Sequence, residues 1–272
     1  MKLIFMGTPE FAIPSLEEII KSKHQVMAVV TGVDKPVGRG RKVRPTPIKK
    51  FALEQGLPVL TPLKLRDENF ISELKQFGAD IFVVVAFKIL PVSVFTIPPK
   101  GTINLHGSLL PKYRGAAPIN WAIINGEEET GLTTFFIEKK VDRGAIIQMR
   151  GIPIGPEETA GELHDRMCLA GSKMLVETLD LIEQGNVHPK KQEGAPTLAP
   201  KITKELCRID WKKDARSIFN LIRGLSPYPR AYTMYQGTEM KICYARIESF
   251  DSDTDAKPGT IIEADKTGKL HI

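Results

Sequence analysis

Two polar side chains in one short stretch, Asn104 and His106, have types and spacing that suit acyl-transfer chemistry. The run at residues 102–105 predicts a strand, and side chains two positions apart on a strand point to the same face. An amide and an imidazole that both donate to one spot would stabilise the oxyanion of a tetrahedral intermediate. The same side chains could instead satisfy backbone groups at the strand end, so the pair alone leaves both roles open.

A third polar group, Asp142, lies in a predicted tight turn at residues 141–144, between two β-rich runs. An aspartate in such a turn often only stabilises the turn. It could also reach His106, orient the imidazole and accept a proton during the reaction. Because the two residues are far apart in sequence, their spacing does not choose between these roles.

The elements that must position these groups follow an α/β pattern, which predicts a Rossmann-like, mostly parallel sheet. Helices are expected at residues 9–20, 47–55, 67–77, 118–124 and 159–183, with Thr8 as the cap of the first. Strands are expected at residues 2–6, 25–31, 57–60, 80–86, 102–105, 132–137 and 145–149. The run at 80–86 is apolar without alternation, which is typical of a central strand covered on both faces.

The chain is expected to contain two domains. Residues 1–188 form the α/β domain, residues 189–206 form a linker rich in proline and lysine, and residues 207–272 form a smaller OB-like β-barrel. The chain stops at the sequence LHI, within a predicted strand, so the barrel is expected to be incomplete.

The composition is that of an ordinary globular protein of 272 residues, with 42% hydrophobic residues, 26% charged residues and a formal charge of +6. No apolar stretch approaches the roughly 18 residues of a membrane helix, and the N-terminal apolar run is too short for a secretion signal. These features predict a cytoplasmic protein without a membrane partner. The cysteines form no CxxC pair, so no metal is expected.

Positive charge is concentrated at residues 35–50, which contain no acidic residue and seven basic ones: Lys35, Arg39, Arg41, Lys42, Arg44, Lys49 and Lys50. A basic loop with interspersed glycine and proline is often only a solvated surface. It can also order on phosphates, because guanidinium groups bind them in a bidentate manner. The residues alone favour neither interpretation.

Several motifs together resemble the folate-dependent formyltransferase family: N-x-H at residues 104–106, SLLP at 108–111 and the aspartate turn at 141–144. Three further stretches are similar to its methionyl-tRNA branch: KPVGRGRKVRPTPIK at 35–49, KYRGAAPINWAIINGEEETGLTT at 112–134 and IRGLSPYPRAYT at 222–233. The resemblance extends over essentially the whole chain.

This resemblance implies formyl transfer from 10-formyltetrahydrofolate to the amino group of initiator methionyl-tRNA. The family's catalytic positions are occupied by Asn104, His106 and Asp142. Its folate-binding positions are occupied by Ser108, Leu109, Leu110, Pro111, Phe87, Ile89 and Leu90. The family uses its basic loop to enter the tRNA acceptor end, which assigns tRNA contacts to Arg39, Arg41, Lys42 and Arg44.

The sequence departs from the family pattern in two places. Only Lys88 stands between Phe87 and the Ile-Leu-Pro of the folate segment, where the family has a glycine and one further residue. In the aspartate turn, Arg143 and Ala145 replace the usual threonine and aspartate, while Asp142 is kept.

Alternative functions remain open at this stage. Glycinamide ribonucleotide formyltransferase shares the asparagine, histidine and aspartate but lacks a second domain, and a formyltransferase of amino sugar nucleotides shares more of the pattern. A non-catalytic RNA-binding protein would use the α/β domain as a scaffold and the barrel as the reader. The protein is expected to be a monomer.

Overall fold

A mostly parallel sheet flanked by helices organises residues 1–183. The structure is a computed structural model that describes residues 1–37, 42–248, 257–264 and 270–271. Its strands are β1 (Lys2–Gly7), β2 (Gln25–Val30), β3 (Lys35–Val37), β4 (Lys42–Arg44), β5 (Val59–Leu60), β6 (Ile81–Val85), β7 (Thr102–His106), β8 (Arg114–Gly115), β9 (Glu129–Phe136), β10 (Ile146–Pro153), β11 (Leu198–Ala199), β12 (Ala231–Tyr235), β13 (Thr238–Ile242), β14 (Glu263–Ala264) and β15 (Leu270–His271). Its helices are α1 (Ile13–Lys21), α2 (Pro47–Glu54), α3 (Glu68–Gln76), α4 (Val92–Phe95), α5 (Pro118–Ile124), α6 (Ala160–Glu183) and α7 (Ala215–Gly224).

The main sheet has seven strands in the order β10-β9-β7-β6-β1-β2-β5. The five strands from β7 to β5 run parallel, whereas β9 and β10 are antiparallel additions at one edge. The predicted Rossmann-like sheet is therefore confirmed. After β1, the chain first builds β2 and β5 on one side and then β6 and β7 on the other. Ligands bind beside such a switch point, at the carboxyl ends of the strands.

Both faces of the central strands are buried. In β1, Leu3 and Phe5 belong to the core formed with α1, α2 and α6, whereas Ile4 and Met6 belong to the core formed with α3 and α4. All four side chains are 0% exposed. Neighbouring side chains alternate between faces, so a strand covered on both sides must be apolar throughout. The same alternation in β6 confirms the prediction of a central strand there.

The helix at the start of the chain begins later than expected. A 3-10 turn spans Glu10–Ala12 and precedes α1, and the residue before that turn is Pro9 in an extended conformation with no side-chain cap. The predicted cap by Thr8 is wrong, because the helical hydrogen bonds start too far along the chain for its hydroxyl to close them. The helices at α2, α3, α5 and α6 lie within one or two residues of their predicted bounds.

The described residues of the basic segment include two paired strands, here called the basic hairpin. Strands β3 and β4 pair antiparallel, with Lys35 opposite Arg44. Its base is held by Lys49, whose ammonium lies 2.9 and 2.8 Å from the two carboxylate oxygens of Asp34. The predicted RNA contacts Arg39 and Arg41 lie outside the described residues.

The C-terminal region has its own small core, formed by Cys207, Ile209, Ile222, Leu225 and Ala231. Its described strands form two separate two-stranded antiparallel sheets, β12-β13 and β14-β15. A closed barrel is not formed by the residues described there.

Helix α7 attaches this region to the first domain. The side chain of Asn120 donates to the carbonyl of Gly224 at 2.7 Å. The buried guanidinium of Arg223 donates to the carbonyls of Gly155 and Glu158, both at 3.1 Å. Buried guanidinium groups need such acceptors, so α7 is tied to the first domain by directed contacts as well as by packing.

The predicted linker packs along the first domain. Lys190 forms a pair of backbone hydrogen bonds with Ile146 at 2.7 and 2.8 Å, and β11 adds to β8 in parallel. The domain boundaries at residues 188 and 206 remain predictions. Among the residues described, no helix combines the length and the apolar character needed to cross a bilayer.

The start of the long helix α6 can be tested by removing its cap. Thr159 accepts from the amide of Glu162, whose carboxylate in turn accepts from the Thr159 amide, which makes a capping box. Thr159→Ala should cost about 1 kcal/mol and lower the melting temperature by roughly 2–4 °C. Thermal unfolding followed by circular dichroism measures this, with Lys173→Ala on the exposed face of α6 as the control. Equal melting temperatures for both variants would show that the cap contributes little.

Candidate active site

A cavity of about 640 Å³ opens at the carboxyl ends of β1, β6 and β7, beside the switch point of the sheet. Its walls are mostly apolar and include several polar side chains. A concave, largely apolar site of this size with few polar groups is typical of a small-molecule site. The polar groups that line it include the three predicted catalytic residues, Asn104, His106 and Asp142.

Asn104 lies on β7, where it pairs with Val84 of β6 and with Phe135 of β9. Its side chain lines the cavity and is partly exposed. The amide makes no hydrogen bond to any side chain or backbone group of the described residues. A carboxamide whose own hydrogen bonds are unused is free to donate to a bound molecule.

His106 is the last residue of β7 and is 6% exposed. Its Nε2 lies 3.0 Å from the carbonyl oxygen of Tyr113. A carbonyl can only accept, so Nε2 carries a proton and donates it. Residue Tyr113 has a positive φ of 57°, an uncommon conformation outside glycine. This bend in the 113–117 segment fixes the imidazole at the edge of the cavity.

Asp142 reaches the same segment from the turn between β9 and β10. Its Oδ2 accepts from the backbone amide of Gly115 at 2.9 Å, and its φ is +52°. The 113–117 segment therefore contacts both residues. The Tyr113 carbonyl accepts from His106, and the Gly115 amide, two residues later, donates to Asp142. This shared anchor explains how a carboxylate from a distant turn lies at the cavity that Asn104 and His106 line.

Two glycines make this approach possible. A Cβ on Gly144 would lie 1.6 Å from the carbonyl oxygen of Phe136, so the aspartate turn closes only with glycine there. Gly115 has a φ of +131°, and a Cβ there would lie 2.5 Å from the carbonyl oxygen of Ala199. Both contacts are with backbone, which cannot move away without breaking the strands that carry it.

The charges around the turn include two guanidinium groups. Burial lowers the pKa of Arg114, and the nearby Arg143 lowers it further, while Asp142 acts in the opposite direction. An arginine pKa starts so high that Arg114 stays protonated, so the carboxylate of Asp142 has cationic neighbours. Beneath the segment, burial raises the pKa of the Tyr113 phenol to about 12. That phenol is therefore neutral and donates to Glu127 at 2.7 Å.

The predicted cofactor residues Phe87, Ile89 and Leu90 also line the cavity, together with Lys88. This segment begins at Ala86, which has a φ of +48°. Ile89 is 74% exposed and Leu90 only 7%, so the first forms the rim and the second the base of the wall. The shortened segment thus still presents apolar groups to the cavity.

The SLLP motif at residues 108–111 lies outside the cavity lining. The Ser108 side chain is 0% exposed and donates to the carbonyl of Lys112 at 2.6 Å, and Leu110 is 2% exposed. Leu109 packs against Gly131. Burial of these two side chains does not exclude contact through backbone groups, so the predicted cofactor contact of Ser108, Leu109, Leu110 and Pro111 stays a prediction.

Other residues at the site were not found from the sequence. Phe11 and His164 line the cavity with their rings 5.2 Å apart. Gln192 lies in the predicted linker, yet its amide donates to the carbonyls of Asp142 and Gly144, both at 3.0 Å. A glutamine in a proline-rich stretch has no spacing signal that could have pointed to this role.

One group of possible metal ligands occurs among the described residues, away from the cavity: His24, Asp180 and Glu183. Lys23 lies 3.0 and 2.8 Å from the two carboxylates, and the ammonium of Met1 lies 2.8 Å from Glu183. Burial and the Met1 ammonium both lower the pKa of His24. Two cations already neutralise the two carboxylates, so this group is an ion-pair cluster that pins the chain start to α6.

Comparison with known proteins identifies the family. A family model described as formyl transferase matches residues 1–179, and one described as formyl transferase C-terminal domain matches residues 201–272. The chain belongs to the formyl transferase family. Its mostly parallel sheet agrees with this family, whose members transfer formyl groups.

Relatives in this family extend over the full chain. The methionyl-tRNA formyltransferase of Flavobacterium johnsoniae is 47% identical over 276 residues, which cover 100% of this chain and 88% of that protein. The methionyl-tRNA formyltransferase of Clostridioides difficile is 47% identical over 98% of this chain and 87% of its own length. A solved N-formyltransferase from Helicobacter canadensis, in complex with folinic acid and dTDP-3-aminofucose, superposes with a TM-score of 0.68. It is 25% identical and covers 92% of this chain and 93% of its own.

The charge of Asp142 can be separated from its role in the turn. In the Asp142→Asn variant, the new side chain tolerates a positive φ and can still accept from the Gly115 amide, but it carries no charge. If the carboxylate takes a proton in the reaction, formyl transfer should fall by roughly 10²–10⁴-fold while the fold is kept. Steady-state turnover measures this, with Glu73→Gln on the exposed face of α3 as the control. Normal turnover by Asp142→Asn would show that the residue only stabilises the turn and that its charge has no role in the reaction.

Proposed function

We propose that this chain transfers a formyl group from 10-formyltetrahydrofolate to the amino group of methionine carried by initiator tRNA. The observation that carries the proposal is that Asn104, His106 and Asp142 line a single cavity at the sheet edge. The choice of acceptor is supported by identities of 47% with methionyl-tRNA formyltransferases over nearly the whole chain.

Asn104 acts on the oxygen of the formyl group. When the neutral amine forms a bond to the formyl carbon, that oxygen gains negative charge. The carboxamide of Asn104, which has no competing partner among the described residues, donates to it. A donor fixed in advance stabilises the transition state without having to reorganise.

His106 and Asp142 handle the protons. The attacking nitrogen loses a proton, which the Asp142 carboxylate accepts directly or through a water molecule. As the bond from the formyl carbon to the folate nitrogen breaks, that nitrogen needs a proton. The imidazolium form of His106 supplies it from Nδ1, while Nε2 keeps its hydrogen bond to the carbonyl of Tyr113. The net reaction moves the formyl group and one proton in opposite directions, and it needs no covalent enzyme intermediate.

The cavity suits a folate. Phe87, Ile89 and Leu90 offer the apolar wall against which a planar ring system packs. The volume of about 640 Å³ lies within the usual range for cofactor sites. The Helicobacter canadensis relative was solved with folinic acid, a folate derivative, which agrees with the folate class of the donor.

A second candidate acceptor is an amino sugar nucleotide. The Helicobacter canadensis relative, solved with dTDP-3-aminofucose, favours it, since the fold of the two chains is shared. The higher identity to the methionyl-tRNA enzymes argues for tRNA. Location in the cytoplasm and a monomeric state stay predictions.

Formylation assays test the function and the assignment of Asn104 together. The wild type should formylate charged initiator tRNA in the presence of 10-formyltetrahydrofolate. Asn104→Ala should be slower by ~10²–10³-fold, because one oxyanion donor is lost. Asn69→Ala, an exposed residue of α3, serves as the control.

A parallel assay offers dTDP-3-aminofucose as the acceptor. Faster formylation of the sugar than of the charged tRNA would replace the proposed acceptor. No formylation of either acceptor, together with retained RNA binding, would favour the non-catalytic alternative.

The basic hairpin is proposed as the tRNA contact. Arg44 is exposed at its base, opposite Lys35, and Lys42 belongs to the same strand. Phosphate contacts by such cations release counterions, so binding must weaken as salt rises.

Arg39→Ala should weaken tRNA binding and reduce the magnitude of the slope of log K against log salt by about 1. Fluorescence anisotropy at several salt concentrations measures both quantities. Lys100→Ala is the matched control, because it removes one charge from an exposed position just before the amino end of β7. If the two variants bind alike, the hairpin has no direct role.

A further inference from the structure

The segment at residues 190–199, here called the strap, is anchored at both ends on the catalytic domain. At its start, Lys190 and Ile146 exchange two backbone hydrogen bonds. At its end, the carbonyl of Ala199 accepts from the amides of Ala116 and Ala117, at 2.8 and 3.2 Å. The first anchor lies next to the aspartate turn and the second next to the 113–117 segment, so the strap spans the two pieces of chain that meet at the cavity.

Gln192 connects these two pieces between the anchors. Its Nε2 donates to the carbonyls of Asp142 and Gly144, both at 3.0 Å. Its Oε1 accepts from Arg114, from Nε at 3.2 Å and from Nη2. The side chain is partly buried, so these bonds are partly shielded from water.

The chemistry of the position suits a glutamine. The carbonyls of Asp142 and Gly144 need a hydrogen-bond donor, whereas the guanidinium of Arg114 needs an acceptor. A primary amide provides both in one plane. A carboxylate would satisfy Arg114 but repel the two carbonyls. A lysine would satisfy the carbonyls but repel Arg114.

The bonds of Gln192 bear directly on the direction of the Asp142 carboxylate. They hold the backbone on both sides of Arg143, in a turn where Asp142 has a positive φ of 52°. Without them, the turn would keep the bond to the Gly115 amide and the backbone bonds of Ala145 and Ile146, but its carbonyls at 142 and 144 would lose their donor. A carboxylate that must take a proton from a bound amine depends on its position, since a shift of about 1 Å can cost ~10²-fold in rate.

We propose that Gln192 is a positioning residue that holds the Asp142 turn against Arg114 and so aims the carboxylate at the reacting amine. The proposal rests on the proposed function of this site. Under this proposal, the strap supports catalysis in addition to connecting the two domains.

Kinetics of the full-length enzyme test the proposal. Gln192→Ala should lower kcat by ~10–100-fold. The KM values for 10-formyltetrahydrofolate and charged tRNA should stay within about twofold, because the turn acts in the transition state rather than in binding. Gln192→Glu should be at least as slow as Gln192→Ala. Glu193→Gln, on the exposed neighbouring residue, should match the wild type.

Hydrogen exchange gives a second readout that does not depend on activity. The Gly115 amide donates to the Asp142 carboxylate, and this bond is expected to slow its exchange. In Gln192→Ala, its exchange should accelerate by about tenfold, while the amides of β6 exchange as in the wild type. Faster exchange throughout β6 would reveal general destabilisation and overturn the positioning role.

The outcomes separate the two proposals. If the wild type formylates charged tRNA and Gln192→Ala does so at an equal rate, the positioning role is wrong and the proposed function stands. If Gln192→Ala loses affinity for a substrate and keeps kcat, the residue acts in binding instead. A wild type that formylates no acceptor would overturn both proposals.

Discussion

The hydrogen bond from the Gly115 amide to the Asp142 carboxylate is the contact on which the proposed active site depends. It joins a turn between β9 and β10 to a segment that follows β7, and the same segment accepts a hydrogen bond from His106. Asp142 is held at a positive φ, which is uncommon outside glycine, and Gly115 has a φ of +131° that a residue with a Cβ rarely adopts. Conformations of this kind persist only where the surrounding structure determines them.

The sheet, the turn, the strap and the C-terminal region all contribute to holding this contact. The parallel strands bring the carboxyl ends of β1, β6 and β7 to one edge, and their apolar side chains on both faces keep that edge rigid. Gly144 lets the turn approach the carbonyl of Phe136, and the strap closes the arrangement from outside. The C-terminal region is attached through α7 to α5, whose first residues line the cavity. Segments between residues 3 and 224 thus contribute to the position of the Asp142 carboxylate.

The sheet was predictable from the sequence because burial on both faces leaves a clear trace. A non-alternating apolar run indicates a strand buried on both faces, and apolar residues at helical spacing indicate a helix. The structure has a strand at β6 and a helix at α6. The polar groups Asn104 and His106 were predictable as neighbours by the period of a strand. No spacing rule linked them to Asp142. That link came from the resemblance to a known family.

Features that depend on contacts between distant segments were not predictable. The basic stretch was expected as a loop, yet β3 and β4 pair, because glycine and proline composition does not exclude a short hairpin. Gln192 has no local pattern, since its three partners come from two other segments. The motif at residues 108–111 also could not reveal that the side chains of Ser108 and Leu110 are buried, because burial depends on the segments packed against them.

The central claim is that Asn104 and Asp142 act on one transition state, and a double-variant cycle of single-turnover formyl transfer tests it most directly. Asn104→Ala, Asp142→Asn and the double variant are compared with the wild type on charged initiator tRNA. If the two groups work as a unit, their effects are strongly non-additive, and the double variant is about as slow as the slower single variant. Rate losses that simply multiply would mean that the two residues act independently, which would contradict the account.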